Sequence, residues 1–244
     1  MAFAIGYNVS KANDLMRDIA LAYKNLGIYT NEQWNGVVDA LQANWVGEDE
    51  QDFEQKLAQR ICNLYLNASN LAEGCVNTIA GLSQAWYDFQ SRNILDGKSA
   101  IGKSKININI PKIKKEDQIV RAKPKTISND EDRGLRDASS KANIQEAVNT
   151  FVGQIKQKTD GLFQEIDANT AFFGDQTANI KSYVERVGSA IAEVTIAVKD
   201  MNEALEKLAN SSYTTASADI KEELTKASSN VETSLNDLGN SRWS

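Results

Sequence analysis

The sequence predicts an all-α protein built from two helix-turn-helix hairpins packed as a four-helix, pseudo-dimeric bundle, and three observations carry that prediction. Both prolines, Pro111 and Pro124, fall in the middle of the 244 residues, so neither flank contains the ring that breaks helices. Apolar residues recur in both flanks at steps of four and three, the spacing at which one helix offers a narrow seam to another. The order helix, aromatic-x-Gly turn, long helix then occurs twice.

In the first flank, Ala12, Leu15, Met16, Ile19, Tyr23 and Leu26 follow helical spacing from Asn8 onward. Gly27 interrupts, and Thr30 with Gln33 forms a capping-box pattern, so a fresh helix is expected to start there and to run through Val37, Val38 and Leu41. Trp45-Val46-Gly47 reads as a turn, with Glu48 and Asp49 suited to the positive end of the next helix. That helix carries the seam Leu57, Ile61, Leu64, Ala68, Leu71, Cys75, Leu82, Trp86 and Phe89, with Ile79 one place off. The aromatic set Trp86, Tyr87 and Phe89 reads as core rather than as a ligand platform.

Residues 97–136 break the pattern and form a central insertion of extended or β-like character. Ile106-Asn107-Ile108-Asn109-Ile110 alternates with period two, and Ile119-Val120 is its candidate partner in a small hairpin. Helical spacing resumes with Ile144, Val148, Phe151, Ile155, Leu162 and Ile166, followed by the turn sequence Phe172-Phe173-Gly174-Asp175. From Ile180 to Leu208 the steps of four and three run without error, through Val184, Val187, Ile191, Val194, Val198, Met201 and Leu205. A polar break is expected at 210–217, then a last helix with Ile220, Leu224, Ala227, Val231, Leu235 and Leu238. The expected organisation is hairpin one over residues 1–96, a basic linker or accessory arm over 97–136, hairpin two over 137–210, and a C-terminal helix and tail over 211–244.

A net charge of −6 and a pI near 4.9 argue against nucleic acid as a main partner, because phosphate binding draws on clustered Lys and Arg. The charge is segregated, however. Residues 98–125 hold nine basic side chains, among them Lys112, Lys114, Lys115, Arg121, Lys123 and Lys125, against Glu116 and Asp117. That is a net of +7, which leaves −13 for the rest of the chain. Two readings stand: a solvated basic linker, or an arm that docks on an acidic surface, either of its own helices or of a neighbouring copy.

Cys62 and Cys75 lie thirteen residues apart in one expected helix, about 20 Å, too far to bridge each other, so both are read as free thiols. With no histidine in the chain there is no ordinary Ser-His or Cys-His nucleophile and no familiar metal-ligand set, so neither enzymatic activity nor a cofactor is expected. Gly97-Lys98-Ser99 and Gly102-Lys103-Ser104 lack the earlier glycine of a phosphate loop and read as linker. Asp49 and Asp52 are placed to answer the helix dipole and solvent rather than to share a catalytic proton. The amino terminus has neither a basic start nor an apolar run suited to a signal peptide, and no stretch approaches the length of a membrane span.

Setting Trp45 against Phe172 superposes the flanks with a displacement of 127 residues, aligning Gly47 with Gly174, Glu48 with Asp175, and Phe53 with Ile180. These residues resemble the WXG family, the small helical hairpins exported by type VII (ESX) secretion systems of Gram-positive bacteria. Trp45-Val46-Gly47 with Phe53 sits where that family places its turn, and Phe172-Phe173-Gly174 is similar to a degenerate second copy without the tryptophan. The resemblance implies helical-hairpin fold, action through helix-to-helix contacts with itself or with a secretion or assembly partner, and location outside the cell or on its surface without a general secretory signal. The Tyr-x-x-x-Asp/Glu export signal common in the family or its partners is absent, since Tyr65, Tyr87, Tyr183 and Tyr213 meet Ser69, Ser91, Val187 and Ser217 four places on. Trp45 and Phe172 admit a structural reading, as plugs of the open hairpin ends, and a docking reading, as exposed aromatics beside acids. Two other functions stay open: a structural subunit of a phage particle or secreted assembly, and an α-helical pore-forming protein, whose nearest apolar tongue, residues 190–198, is broken by Glu193.

Overall fold

A computed structural model describes residues 7–96, 107–114, 120–121 and 134–241; for residues 91–96 and for nearly all of 211–241 only the backbone is described. The molecule is all-α. Helix α1 spans Val9–Asn44, α2 Glu48–Asp96, α3 Ser140–Asp167 and α4 Thr177–Ser241, with a two-residue strand pair formed by β1, Trp45–Val46, and β2, Gly134–Leu135.

α1 starts where Asn8, in an extended conformation, accepts a hydrogen bond from the Lys11 amide at 3.0 Å. It does not stop at Gly27. The glycine is enclosed because a Cβ there would lie 2.5 Å from the Tyr65 hydroxyl oxygen and 2.9 Å from its ring, so glycine lets α2 approach rather than ending α1. Thr30 is not a helix cap; its hydroxyl donates to the Leu26 carbonyl one turn back, at 2.7 Å. Gly74 repeats the device between α2 and α4, where a Cβ would lie 3.2 Å from the Tyr183 ring.

Four contacts define the arrangement of the helices. α1 and α2 run antiparallel, with Tyr23 stacked on Tyr65 and Tyr7 bonded to the Ile79 carbonyl. α1 and α3 run antiparallel, with Trp34 and Tyr29 against Phe151 and Asn143 bonded to Asn44. α2 and α4 face each other antiparallel, with Arg60 meeting Glu193 and Leu82 lying over Gly174. α3 and α4 touch over a shorter length, through Gln145 to Asn202 and Lys141 to Glu206. The seams read from the sequence therefore meet inside the molecule: Leu57, Ile61, Leu64, Ala68, Leu71 and Cys75 of α2 are buried, as are Ile180, Val187, Val194, Met201 and Leu205 of α4.

This geometry accounts for the length of the connector and corrects two further expectations. The chain from α2 to α3 has to be long, because α2 ends at one end of the bundle while α3 begins beside Asn44 at the other. Along α1, 36 residues and about 54 Å, an extended chain needs at least ~16 residues. No β-hairpin forms over the described part of the isoleucine stretch: residues 107–114 make no strand, and Ile106 and Ile119 lie outside the described residues. α4 does not break at 210–217; it continues as one helix of 65 residues, about 100 Å. The polar composition there lowers the local gain from burial but contains no proline and no turn glycine, so nothing in the backbone ends the helix.

The tips, the strap and their surroundings

The first tip is built on extended backbone. Trp45 has φ −128° and ψ 138°, its amide still donating to the Leu41 carbonyl, and Gly47, with φ 126°, turns the chain into α2. A β-branched Val46 between them favours the strand, and β2 completes it: Trp45 pairs with Leu135 and Val46 with Gly134, antiparallel, with the Arg136 amide donating to the Asn44 carbonyl at 3.1 Å. Gly134 also has positive φ, 131°, and no sequence signal had marked it. The Trp45 indole is 2 % exposed and stacks on Phe53 at 6.1 Å. It is a plug, so the reading of Trp45 as an exposed docking indole is set aside: the segment that docks on this tip is the chain's own β2.

The second tip is built on two 3₁₀ turns, Thr170–Phe172 and Gly174–Gln176. Gly174 has φ 50°, and the Thr177 hydroxyl donates back to its carbonyl at 2.7 Å. The aromatic buried here is Phe173, fully enclosed, one place after the residue that the sequence alignment sets against Trp45. Phe172 is half-buried and meets Tyr7 edge-on at 5.6 Å. Phe53 and Ile180, the aligned pair eight residues into each repeat, are both buried.

The described parts of the connector, residues 107–114 and 120–121, lie along α1 and α2 as a strap. The Asn13 side chain donates to the Asn107 carbonyl at 2.8 Å and accepts from the Asn109 amide at 3.2 Å. The Tyr23 hydroxyl donates to the Lys114 carbonyl at 2.6 Å, the Trp34 indole to the Arg121 carbonyl at 2.9 Å, and the Cys62 thiol to the Val120 carbonyl at 3.5 Å. Every one of these bonds goes to strap backbone. Val120 is buried in the core and Ile108 and Ile113 pack against it, while Lys112, Lys114 and Arg121 are exposed. Coulomb attraction to the chain's own helices is thus not what holds the described strap; among the described residues these three cations form no ion pair. Lys115, Lys123 and Lys125 lie outside the described residues. Sequence reasoning missed Asn13, Tyr23 and Trp34 as anchors, since all three sit in a helix and their partners are about ninety residues away.

Cys62 and Cys75 are free, and burial pushes the Cys75 thiol up to about 12, which leaves it inert as a nucleophile. Asp49 and Asp52 sit with Lys56 and Asp200 at the mouth of a shallow cavity of about 290 Å³ floored by Trp45 and Phe53. The set Trp86, Tyr87 and Phe89 is not core: Trp86 and Tyr87 are half-buried, Phe89 is 58 % exposed, and Trp86 and Phe89 stack on each other at 5.8 Å beyond the level of the second tip. The seam continues in sequence past Leu82, but hairpin two ends there, so its last residues are covered only in part. Among the described residues no group of three or more His, Cys, Asp or Glu is placed to hold a metal ion, and no helix is long and apolar enough to cross a membrane.

The fold and its tips define a four-helix bundle made of two antiparallel hairpins plugged by aromatics, with the described connector segments lying along the first hairpin. No protein-family model matches the chain, and no curated protein or solved structure matches it either.

Proposed function

We propose that this chain is a non-enzymatic helical interaction protein, a tandem WXG-like molecule that carries both hairpins of a dimer in one polypeptide and is handled by a type VII-like secretion or surface-assembly route. The observation that carries the reading is the placement of the two tips. Each hairpin turns at a glycine of positive φ beside a buried aromatic, Trp45 with Gly47 and Phe173 with Gly174, and the two hairpins pack with their tips at opposite ends. Because the apolar seams of α2 and α4 are spent on each other, a partner meets the outer surface instead: the strap, the Trp86/Phe89 end of α2, or the length of α4 past Glu206. The last of these supports a second reading, a subunit of a larger assembly, since about 50 Å of helix follows Glu206, which reaches Lys141 near the start of α3.

Expression of a tagged chain in a Gram-positive host with and without its type VII secretion ATPase tests the proposal. ATPase-dependent appearance in the medium or on the cell surface is the expected result. Retention in the cytoplasm in both strains overturns the export reading and leaves the assembly reading.

A further inference from the structure

α4 outlasts the helices it packs on. Arg60 meets Glu193, so Glu48, twelve residues earlier on the antiparallel α2, comes level with the Leu205 turn, and Asp49 and Ala204 line one cavity. α1 stops at Asn44, and α3 begins at Ser140, beside the contact of Lys141 with Glu206. None of these three helices runs on beside the stretch past Glu206, yet its backbone stays helical to Ser241, over about 50 Å. Propensity alone does not hold it: Ser and Thr fill eleven of positions 211–241, and both rank low as helix formers. The stretch is nonetheless amphipathic. At about 100° per residue, Ile220, Leu224, Ala227, Val231, Leu235 and Leu238 stand within an arc of about 80°, and every charged residue of 211–241 stands outside it. This stripe is not the bundle seam prolonged. Steps of four and three from Leu205 and Leu208 lead through 212 and 215 to 219, whereas the stripe starts one place later, about 100° further round the helix. It stands on a side of α4 other than the one that packs in the bundle.

We infer that α4 past Glu206 pairs with the same stretch of a second copy of this chain, giving a two-fold dimer whose interface is the stripe from Ile220 to Leu238. Length selects this occupant. On a paired helix the apolar seam and its flanks take four positions in seven, so residues 207–241 offer about twenty, the number that one side of a stable interface uses. The other bare helix end, α2 past Leu82, offers only about eight and falls short of that number. Two copies of one stripe match in length by identity, and an isologous contact closes at two. Five acids against two bases in 211–241 argue against a bilayer as the occupant, since helices that lie on membranes are rich in Lys and Arg on the polar side. The pairing deepens the assembly reading, on which it rests, by naming the partner.

Sedimentation equilibrium of the full chain at about 1–100 µM tests the pairing. A monomer–dimer equilibrium is expected, held or strengthened at high salt, because the stripe is apolar and the two stretches carry like net charge. The variant L224D/V231D, which puts charge on the stripe, is expected to associate roughly tenfold or more weakly. T225D/S229D adds the same charge off the stripe and is expected to keep association within about threefold. Both variants are expected to show the parent's thermal melt in tryptophan fluorescence, since the bundle core ends at Leu205. A measurement without any variant guards against misfolding: amide exchange over 211–241 is expected to slow as concentration rises, because pairing protects the helix. A monomer at all concentrations, a trimer or larger species, a stripe variant that associates like the parent, an off-stripe variant that loses association equally, or exchange independent of concentration each overturns the inference. So does binding of the monomer to phosphatidylglycerol vesicles that L224D/V231D abolishes. If the purified chain is monomeric while cross-linking in the cells that make it captures larger species, the pairing falls and the assembly reading stands; if neither shows association, both fall.

Discussion

The two tips solve one problem with different backbones. Each must close the open end of a hairpin, and each does so with one enclosed aromatic and one glycine of positive φ. At the first tip the aromatic sits two places before the glycine on extended chain, and β2 zips onto it; at the second it sits one place before, between 3₁₀ turns, with no strand. The difference follows from what arrives there. The connector must return to the first tip to begin α3, so extended backbone at Trp45 and Val46 gains hydrogen-bond partners from β2. Nothing comparable reaches the second tip among the described residues, and the chain satisfies its amides locally through Phe172 to Asn169, Phe173 to Thr170 and Gln176 to Phe173. A repeat detected by residue type therefore conserves a plug and a turn, not a turn geometry.

The largest expected effect separates the plugs from their neighbour. Trp45→Ala and Phe173→Ala each remove a buried ring and are expected to cost about 3–5 kcal/mol in urea unfolding. Phe172→Ala, which loses a half-buried edge contact to Tyr7, is expected to cost about 1–2 kcal/mol. If Phe172 proves as costly as Phe173, the equivalence of Phe173 with Trp45 is wrong and the alignment by residue type is the better one.

Next in size is the glycine within α1. Gly27→Ala places a methyl against the Tyr65 ring and hydroxyl, and is expected to cost about 1–3 kcal/mol. Gly36→Ala meets nothing within 4 Å and is expected to stabilise by about 0.5–1 kcal/mol through helix propensity. Thermal melts of the pair decide whether Gly27 is an approach point or merely a tolerated flaw.

That pair also marks where the sequence was legible and where it was not. The seams of α2 and α4 could be read because burial on one face of a helix imposes a local period, and Ile180, Val187, Val194, Met201 and Leu205 are buried at that period. Gly27 could not be read correctly, because a glycine that breaks a helix and one that admits a tyrosine from another helix look alike until the other helix is in place. The turn glycines Gly47 and Gly174 were legible from their position between periodic segments, whereas Gly134 was not, since its strand exists only through pairing with Trp45 and Val46, far earlier in the chain. Phe89 failed for a related reason: period continues in sequence beyond the point where the partner helix ends.

The turn glycines sharpen the contrast between the tips. Gly174, at φ 50°, lies in the left-handed region that asparagine also enters, so Gly174→Asn is expected to cost less than about 1 kcal/mol. Gly47, at φ 126°, lies where side chains other than hydrogen are rarely found, and Gly47→Asn is expected to cost about 1–3 kcal/mol. Equal tolerance in chemical denaturation would mean that the two turns share one backbone solution after all.

The smallest effect belongs to the junction that only the first tip possesses, where β2 passes into α3 through Asp137. Its carboxylate accepts from the Ser139 hydroxyl at 2.7 Å, from the Ser139 amide at 2.8 Å and from the Ser140 hydroxyl at 3.1 Å, and these bonds lower its pKa below the ordinary 3.8, the Ser139 hydroxyl contributing most. A folded-state pKa below the unfolded value means that the unfolded chain binds the proton first. The contribution of Asp137 to stability is therefore present above the unfolded value near 3.8 and is lost as pH falls through the lower, folded value. Because the group faces solvent, the effect is small, and it is best seen residue by residue: a carboxyl-detected NMR titration is expected to show Asp137 titrating below the exposed, unbonded acids. Asp137→Asn is expected to remove that low-pH step while leaving the rest of the acid profile unchanged. A titration of Asp137 at the ordinary carboxylate value would show that the serine bonds to its carboxylate do not hold the turn into α3, leaving the backbone bonds of Arg136 to Asn44 and of Ser140 to Asp137 to do so.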